Sequence, residues 1–181
     1  MKSTIVLLAA TITLSPAVCD AAFMELVATE IVSIESTDTT KGSRILVKWD
    51  LPARLDSLII DGAGIVMDVP RSGAGPALVG VYPLTKSWSS STVGWSDGWE
   101  EQGGDFDVSK MAPALLKADA TAQVKTDVSE TIKAMIADEI TNHGFILVLG
   151  DDTKARLSVV SANSSTYLAK ARLVIAYRQR R

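Results

Sequence analysis

The chain has one cysteine, Cys19, and one histidine, His143, in 181 residues. A lone cysteine has no partner within the chain, so no internal disulfide holds the fold and packing must do so. The scarcity of both residues removes the His/Cys clusters that bind zinc and other soft-ligand metals. Any histidine-based triad or general-base scheme has only His143 to use, and its setting TNHGF reads as a turn before a strand. A structural or solvent-exposed role for His143 follows. Excess positive charge is also missing: 18 Lys and Arg stand against 21 Asp and Glu, a net charge of −3 with a pI near 5.2. A nucleic-acid binder needs a dense basic face, and the terminal YRQRR alone does not make one. No apolar run reaches the length of a membrane-spanning helix. Internal repeats and low-complexity tails are absent too.

What is present suits a packed domain. Hydrophobic residues make up 47% of the chain, enough to build a core and too many for a disordered one. The first residues, MKSTIVLLAATITLSPAVCDAA, carry a basic Lys2, an apolar stretch from Ile5 to Leu14 and Pro16 ahead of small residues. That is the pattern of a secretory leader with cleavage after Ala21; a cut after Cys19, or lipidation of Cys19, is the alternative. The expectation is a leader over 1–21 and a single domain over 22–181, located outside the cell, in the periplasm or on the cell surface.

Period-two alternation dominates the rest. Met24 to Ser36 predicts one or two edge strands. In RILVKWDL, Ile45, Val47 and Trp49 alternate with Leu46, Lys48 and Asp50, which predicts a half-buried strand with Trp49 inward. In LIIDGAGIVMDV, Ala63, Ile65, Met67 and Val69 share one face, and Gly64, Val66 and Asp68 the other. PRSGAGP reads as a loop, and Val79 begins a strand that ends at Pro83. Gly103 to Val108 reads as a short strand, and MAPALLKAD as a small helix or ordered loop. Ile132, Met135 and Ile136 predict a helix over about 129–138, with Asp127 and Glu130 at capping-box spacing and Ser129 as the rival cap. Strands at Phe145–Leu149, Arg156–Val160 and Arg172–Tyr177 complete the set. The sum is an all-β, antiparallel, jelly-roll-like sandwich with one short inserted helix.

Three of the four tryptophans fall within VYPLTKSWSSSTVGWSDGW. Trp88 and Trp95 read as core; Trp99, in a polar run, reads equally well as core or as a binding surface.

The order of these motifs resembles the DNRLRE-type domain, an exported β-sandwich related to a carbohydrate-binding module of alginate-active proteins. The matching pieces are Arg44–Leu51, Ile60 to Met67, Val79 to Tyr82, Trp88, Thr92 to Trp95, Asp127 to Ser129, Asn142 to Leu147 and Leu173 to Tyr177, which together cover most of Glu25 to Tyr177. Asn163 stands where the family usually has an acid. The family domain is usually an appendage of a larger protein, whereas little else is present here. The resemblance implies a non-catalytic sandwich that binds a polysaccharide.

Sugars stack on exposed aromatics, which selects Trp99 and Tyr167. An anionic polysaccharide needs cations, which selects Arg44, Lys48, Arg172 and Arg178; were their two strands neighbours, these four would line one sheet face. Asp105-x-Asp107 and Asp151-Asp152 offer oxygens to calcium without a recognised loop pattern, so no cofactor is expected. Asn163-Ser164-Ser165 is a short glycosylation sequon. The alternative role is that of a structural or adhesive surface protein, acting through other surface proteins or self-association. A groove or flat face with aromatic and basic groups would favour sugar; an apolar patch or unpaired strand edge would favour protein contacts.

Overall fold

Branched and alternating segments become strands where they can bury one face against a second layer. In the computed structural model, residues 21–38, 42–72, 76–116, 121–150, 156–157 and 171–180 are described. The leader up to Asp20, the Asp151-Asp152 pair, the Asn163 sequon and Tyr167 lie outside the described residues. The strands are β1 (Ala22–Val27), β2 (Glu30–Glu35), β3 (Ser43–Lys48), β4 (Leu58–Ser72) and β5 (Ala77–Pro83). After them come β6 (Ala112–Leu116), β7 (Thr121–Asp127), β8 (Phe145–Leu149), β9 (Arg156–Leu157) and β10 (Ala171–Gln179). One helix, α1 (Ser129–Ile136), joins β7 to β8.

The strands form two antiparallel sheets. The smaller has the four-strand path β1-β10-β4-β7, with the two-residue β9 against the far end of β4; the larger has the five-strand path β2-β3-β8-β5-β6. With β2 and β9 set aside, the remaining strands follow the double Greek-key path of a jelly roll. Strand β2 is an addition, a hairpin partner that widens the second sheet beside β3. Short corners carry the chain between layers: Ala28 N–H donates to the Ala171 carbonyl in one sheet, and Thr29 N–H to the Lys48 carbonyl in the other. On the opposite side β6 leads to β7, where the Thr126 hydroxyl donates to the Pro113 carbonyl at 2.8 Å.

The core lies between the sheets, and the predicted inward faces supply it. Ala63, Ile65, Met67 and Val69 of β4 and Leu173 and Ile175 of β10 meet Ile45 and Val47 of β3 and Phe145 and Leu147 of β8. Trp49, just past β3, is buried edge-on to Phe145 with ring centroids 6.2 Å apart. Its indole N–H donates to the Ala171 carbonyl at 3.2 Å, so one side chain ties the two sheets together. Val128, Ile132 and Met135 bring α1 over one end of this core.

Several expectations are corrected. Strand β3 is buried on both faces, because Leu46 is as buried as Ile45 and Val47. Within the stretch predicted as a helix or ordered loop (Met111–Asp119), Ala112–Leu116 is instead the edge strand β6: Ala114 and Leu116 point into the core with period two, while Pro113, which has no N–H to donate, suits an edge. The predicted strand at Gly103–Val108 is only a bridge between Leu84 and Phe106, followed by a 3-10 turn at Val108–Lys110. Strand β4 runs on through Ser72, into the segment read as a loop. The helix stops at Ile136, and its Asp127/Glu130 box does not form. Asp127 accepts the Ser129 N–H at 2.8 Å, and Glu130 pairs with Lys133 at 2.9 Å.

The motif Asn142-His143-Gly144 has a structural explanation. Gly144 has φ +86, and a Cβ there would collide with the Val47 carbonyl oxygen of β3. Asn142 donates from its side chain to the Trp49 carbonyl at 2.8 Å and accepts the Gly144 N–H at 3.1 Å. Together they lock the turn that delivers β8 alongside β3.

Candidate functional site

The tryptophan-rich connection between β5 and β6 folds back over the outer face of the larger sheet. There Val32, Ile34, Leu46, Leu84, Trp95 and Ile146 are buried as a second apolar cluster, with Tyr82, Trp88, Val93, Trp99 and Phe106 packed around it. The Trp88 indole donates to the His143 carbonyl at 2.8 Å, and the Trp99 indole to the Gly94 carbonyl at 2.9 Å. The Asp105 carboxylate accepts the N–H groups of both Glu100 and Glu101 at 2.9 Å, closing the loop on itself. The tryptophan cluster is therefore mainly a satellite core.

The four selected cations do not share a face. Arg44 and Lys48 belong to β3 and Arg172 and Arg178 to β10, and these strands lie in different sheets. The sequence could not reveal this, because pairing partners are set by chain path rather than by alternation. Arg44 lies beneath the tryptophan-rich loop, its guanidinium 4.9 Å from the Trp95 ring and 5.5 Å from the Phe106 ring. It donates to the Gly103 carbonyl at 2.8 Å. Lys48 borders a polar recess of about 620 Å³ between the 3-10 turn at Ala53–Ser57 and the end of α1, shared with Asp50, Asp56 and Asp138. Trp99 is half-buried against the satellite core.

Arg172 and Arg178 lie on the outer face of the smaller sheet, which the loop does not cover. Alternation there places Phe23, Glu25 and Val27 of β1 outward, opposite Met24 and Leu26. The register sets Phe23 beside Ala176 and Gly62, and Glu25 beside Val174, Gly64 and Asp127. The result is an open trough of about 540 Å³ running across β1, β10, β4 and β7. Its floor is Gly62, Gly64, Val174 and Ala176; Phe23 stands at one side, and Lys125, Thr126 and Asp127 at the other. Phe23 is 72% exposed, the largest value among the exposed large apolar side chains. The sequence reading began its first strand at Met24 and missed this residue. Extending the alternation back by one position would have exposed it.

Ion pairs fringe the trough. Arg172 lies 3.4 Å from the Glu25 carboxylate and Arg178 3.0 Å from Asp61. Asp127 accepts from both the N–H and the hydroxyl of Ser129, and these hydrogen bonds hold its carboxyl below the usual carboxylate range. Asp107 is lowered in the same way by Ser109. Partial burial, then the nearby Lys48 charge, push the His143 imidazole below its ordinary value. Among the described residues, no group of three or more His, Cys, Asp or Glu is placed to hold a metal ion. Asp105 and Asp107, the described pair considered for calcium, are each turned to local backbone N–H groups.

Fold and surface define the class: a two-sheet, all-β jelly-roll sandwich with one sheet face covered by a loop and the other open. No family model matches the chain, and no curated protein matches it. Among the described residues, no helix is long and apolar enough to cross a membrane.

Proposed function

We propose that the protein is an exported, non-catalytic carbohydrate-binding sandwich of the DNRLRE-like kind, with the open face of the smaller sheet as its binding surface. The observation that supports this reading is the exposed Phe23 ring beside a trough floored by glycine and alanine. A pyranose ring has an apolar C–H face and a polar rim, so it needs a flat apolar platform with hydrogen-bonding groups at the margins. The trough has both, with the Lys125 and Asp127 side chains at its margin. Affinity electrophoresis of the purified protein through gels containing single soluble polysaccharides tests the reading. Retardation by at least one polymer, reduced in Phe23→Ala, is expected; unretarded migration through every gel would overturn it.

A structural or adhesive role is the second reading, and a different surface favours it. Leu78 of β5 and Leu115 of β6 are register partners on the outer face of the larger sheet, 51% and 67% exposed, with Met111 nearby at 47%. Such a stripe suits contact with another protein or a second copy. Sedimentation of the wild type against Leu115→Lys separates the readings, since only self-association through this stripe would give a larger species that the lysine dissolves.

A further inference from the structure

The trough sits among charges that cancel, and its floor is emptier than the fold requires. Glycine inside a strand weakens it, and commonly marks a bulge or a place where a ligand comes close. Gly62 adjoins the register shift where β10 slips against β4, so a bulge accounts for it. Gly64 has no such explanation. Its φ is not positive, and the nearest atom to a Cβ placed there is the Thr126 carbonyl oxygen at 3.4 Å, an ordinary contact. Among the described residues nothing calls for glycine at this position, and its lack of a side chain keeps the trough open.

The charges on the same face decide what can fill it. Arg172 faces Glu25, and Arg178 faces Asp61. Asp68 accepts from Gln123 on the same face, and Lys125 stands two residues from Asp127 along β7. Each of these arginines is thus already held by a carboxylate, and the trough's own lining adds one cation, Lys125, and one acid, Asp127. An anionic polymer brought here would find no net positive field, and engaging either arginine would leave a bare carboxylate beside the incoming charge. A neutral chain meets no such barrier, because its hydroxyls can hydrogen-bond to Lys125 and Asp127 at the margin and leave both rim pairs intact.

We infer that the trough over Gly62, Gly64 and Ala176, flanked by Phe23, takes a neutral polysaccharide and discriminates against anionic ones. The inference rests on the carbohydrate-binding reading and narrows its ligand class. The test is titration of the purified protein with neutral polymers (a β-glucan, a xylan, a galactomannan) and with alginate, each at low and high salt. Binding of a neutral polymer should be insensitive to salt. Phe23→Ala should weaken it roughly tenfold, the scale of one lost aromatic contact. Gly64→Val should abolish it while circular dichroism and the unfolding midpoint show an intact fold. Arg172→Ala and Arg178→Ala should each change it less than about twofold, as expected for rim pairs exposed to solvent. Salt-sensitive binding of alginate, lost in the Arg172→Ala/Arg178→Ala double variant, would overturn the inference and leave the carbohydrate reading standing. Neutral-polymer binding that survives Gly64→Val would also overturn it. Binding of no polymer at all would remove both.

Discussion

Arg44 is the residue whose type misleads most. An arginine at the start of an alternating strand looks like a solvent-facing cation, yet its guanidinium lies over the Trp95 and Phe106 rings and reaches the Gly103 carbonyl. An arginine can serve this way because its flat, delocalised charge stacks on rings while its N–H groups still reach a carbonyl. Arg44→Ala should therefore act on stability rather than binding. Loss of a charged hydrogen bond and the ring contacts predicts a destabilisation of about 2 kcal/mol, read as a fall in the urea midpoint, with polysaccharide affinity unchanged. Phe23 is the converse case. Its neighbours along β1 are ordinary, and only the missing cover marks it.

At the scale of elements, the turn before β8 decides whether the larger sheet assembles. Gly144 combines a left-handed backbone with an approach to the Val47 carbonyl that allows no Cβ. Gly144→Ala should cost about 1–3 kcal/mol from the backbone alone, and more from displacing β3. An unfolding midpoint as high as the wild type would show that the turn relaxes freely. The tryptophan-rich loop belongs to this scale too. Alternation could not give its position, because the residues that hold it, Leu46 and Ile146, sit on a face that strand patterning assigns to solvent. A covered outer face leaves a strand apolar on both sides, and β3 and β8 accordingly read as near-continuous apolar runs. That run in RILVKW is the sequence's signal of cover on both faces, although ordinary alternation also accounts for it. Strand β6 escapes the pattern for a related reason: five residues with a proline in second place give too short a pattern to distinguish an edge strand from a loop.

At the scale of the whole molecule, with packing in place of disulfides, acid should act through the few perturbed groups. The folded state holds His143 below its ordinary value of 6.5, so the unfolded chain binds more protons just below that pH. Stability should be fully present above about pH 6.5 and fall as the pH drops through and below it. Urea midpoints measured across this range should rise with pH, and His143→Gln should flatten that rise; an unchanged slope would assign it to other groups. Asp127, lowered from 3.8, adds a second loss only at more acidic pH, once its carboxyl is protonated away from Ser129.

The sequence by itself determined the class of fold and most of its inward faces. A period of two needs no tertiary context: Ile45 and Val47, Ile65 and Met67, and Leu173 and Ile175 each fall on one side of an extended strand, and that side becomes the core. It also determined the helix α1 and the turn at Asn142-His143-Gly144. What the tertiary structure alone decided was which strands became neighbours. That choice sent Arg44 and Lys48 to one sheet and Arg172 and Arg178 to the other, and laid the tryptophans over one outer face while leaving Phe23 and Gly64 uncovered on the other. The physical reason is range. Alternation is written between adjacent residues, whereas a jelly roll pairs β1 with β10, near opposite ends of the described chain, and no local pattern encodes that contact.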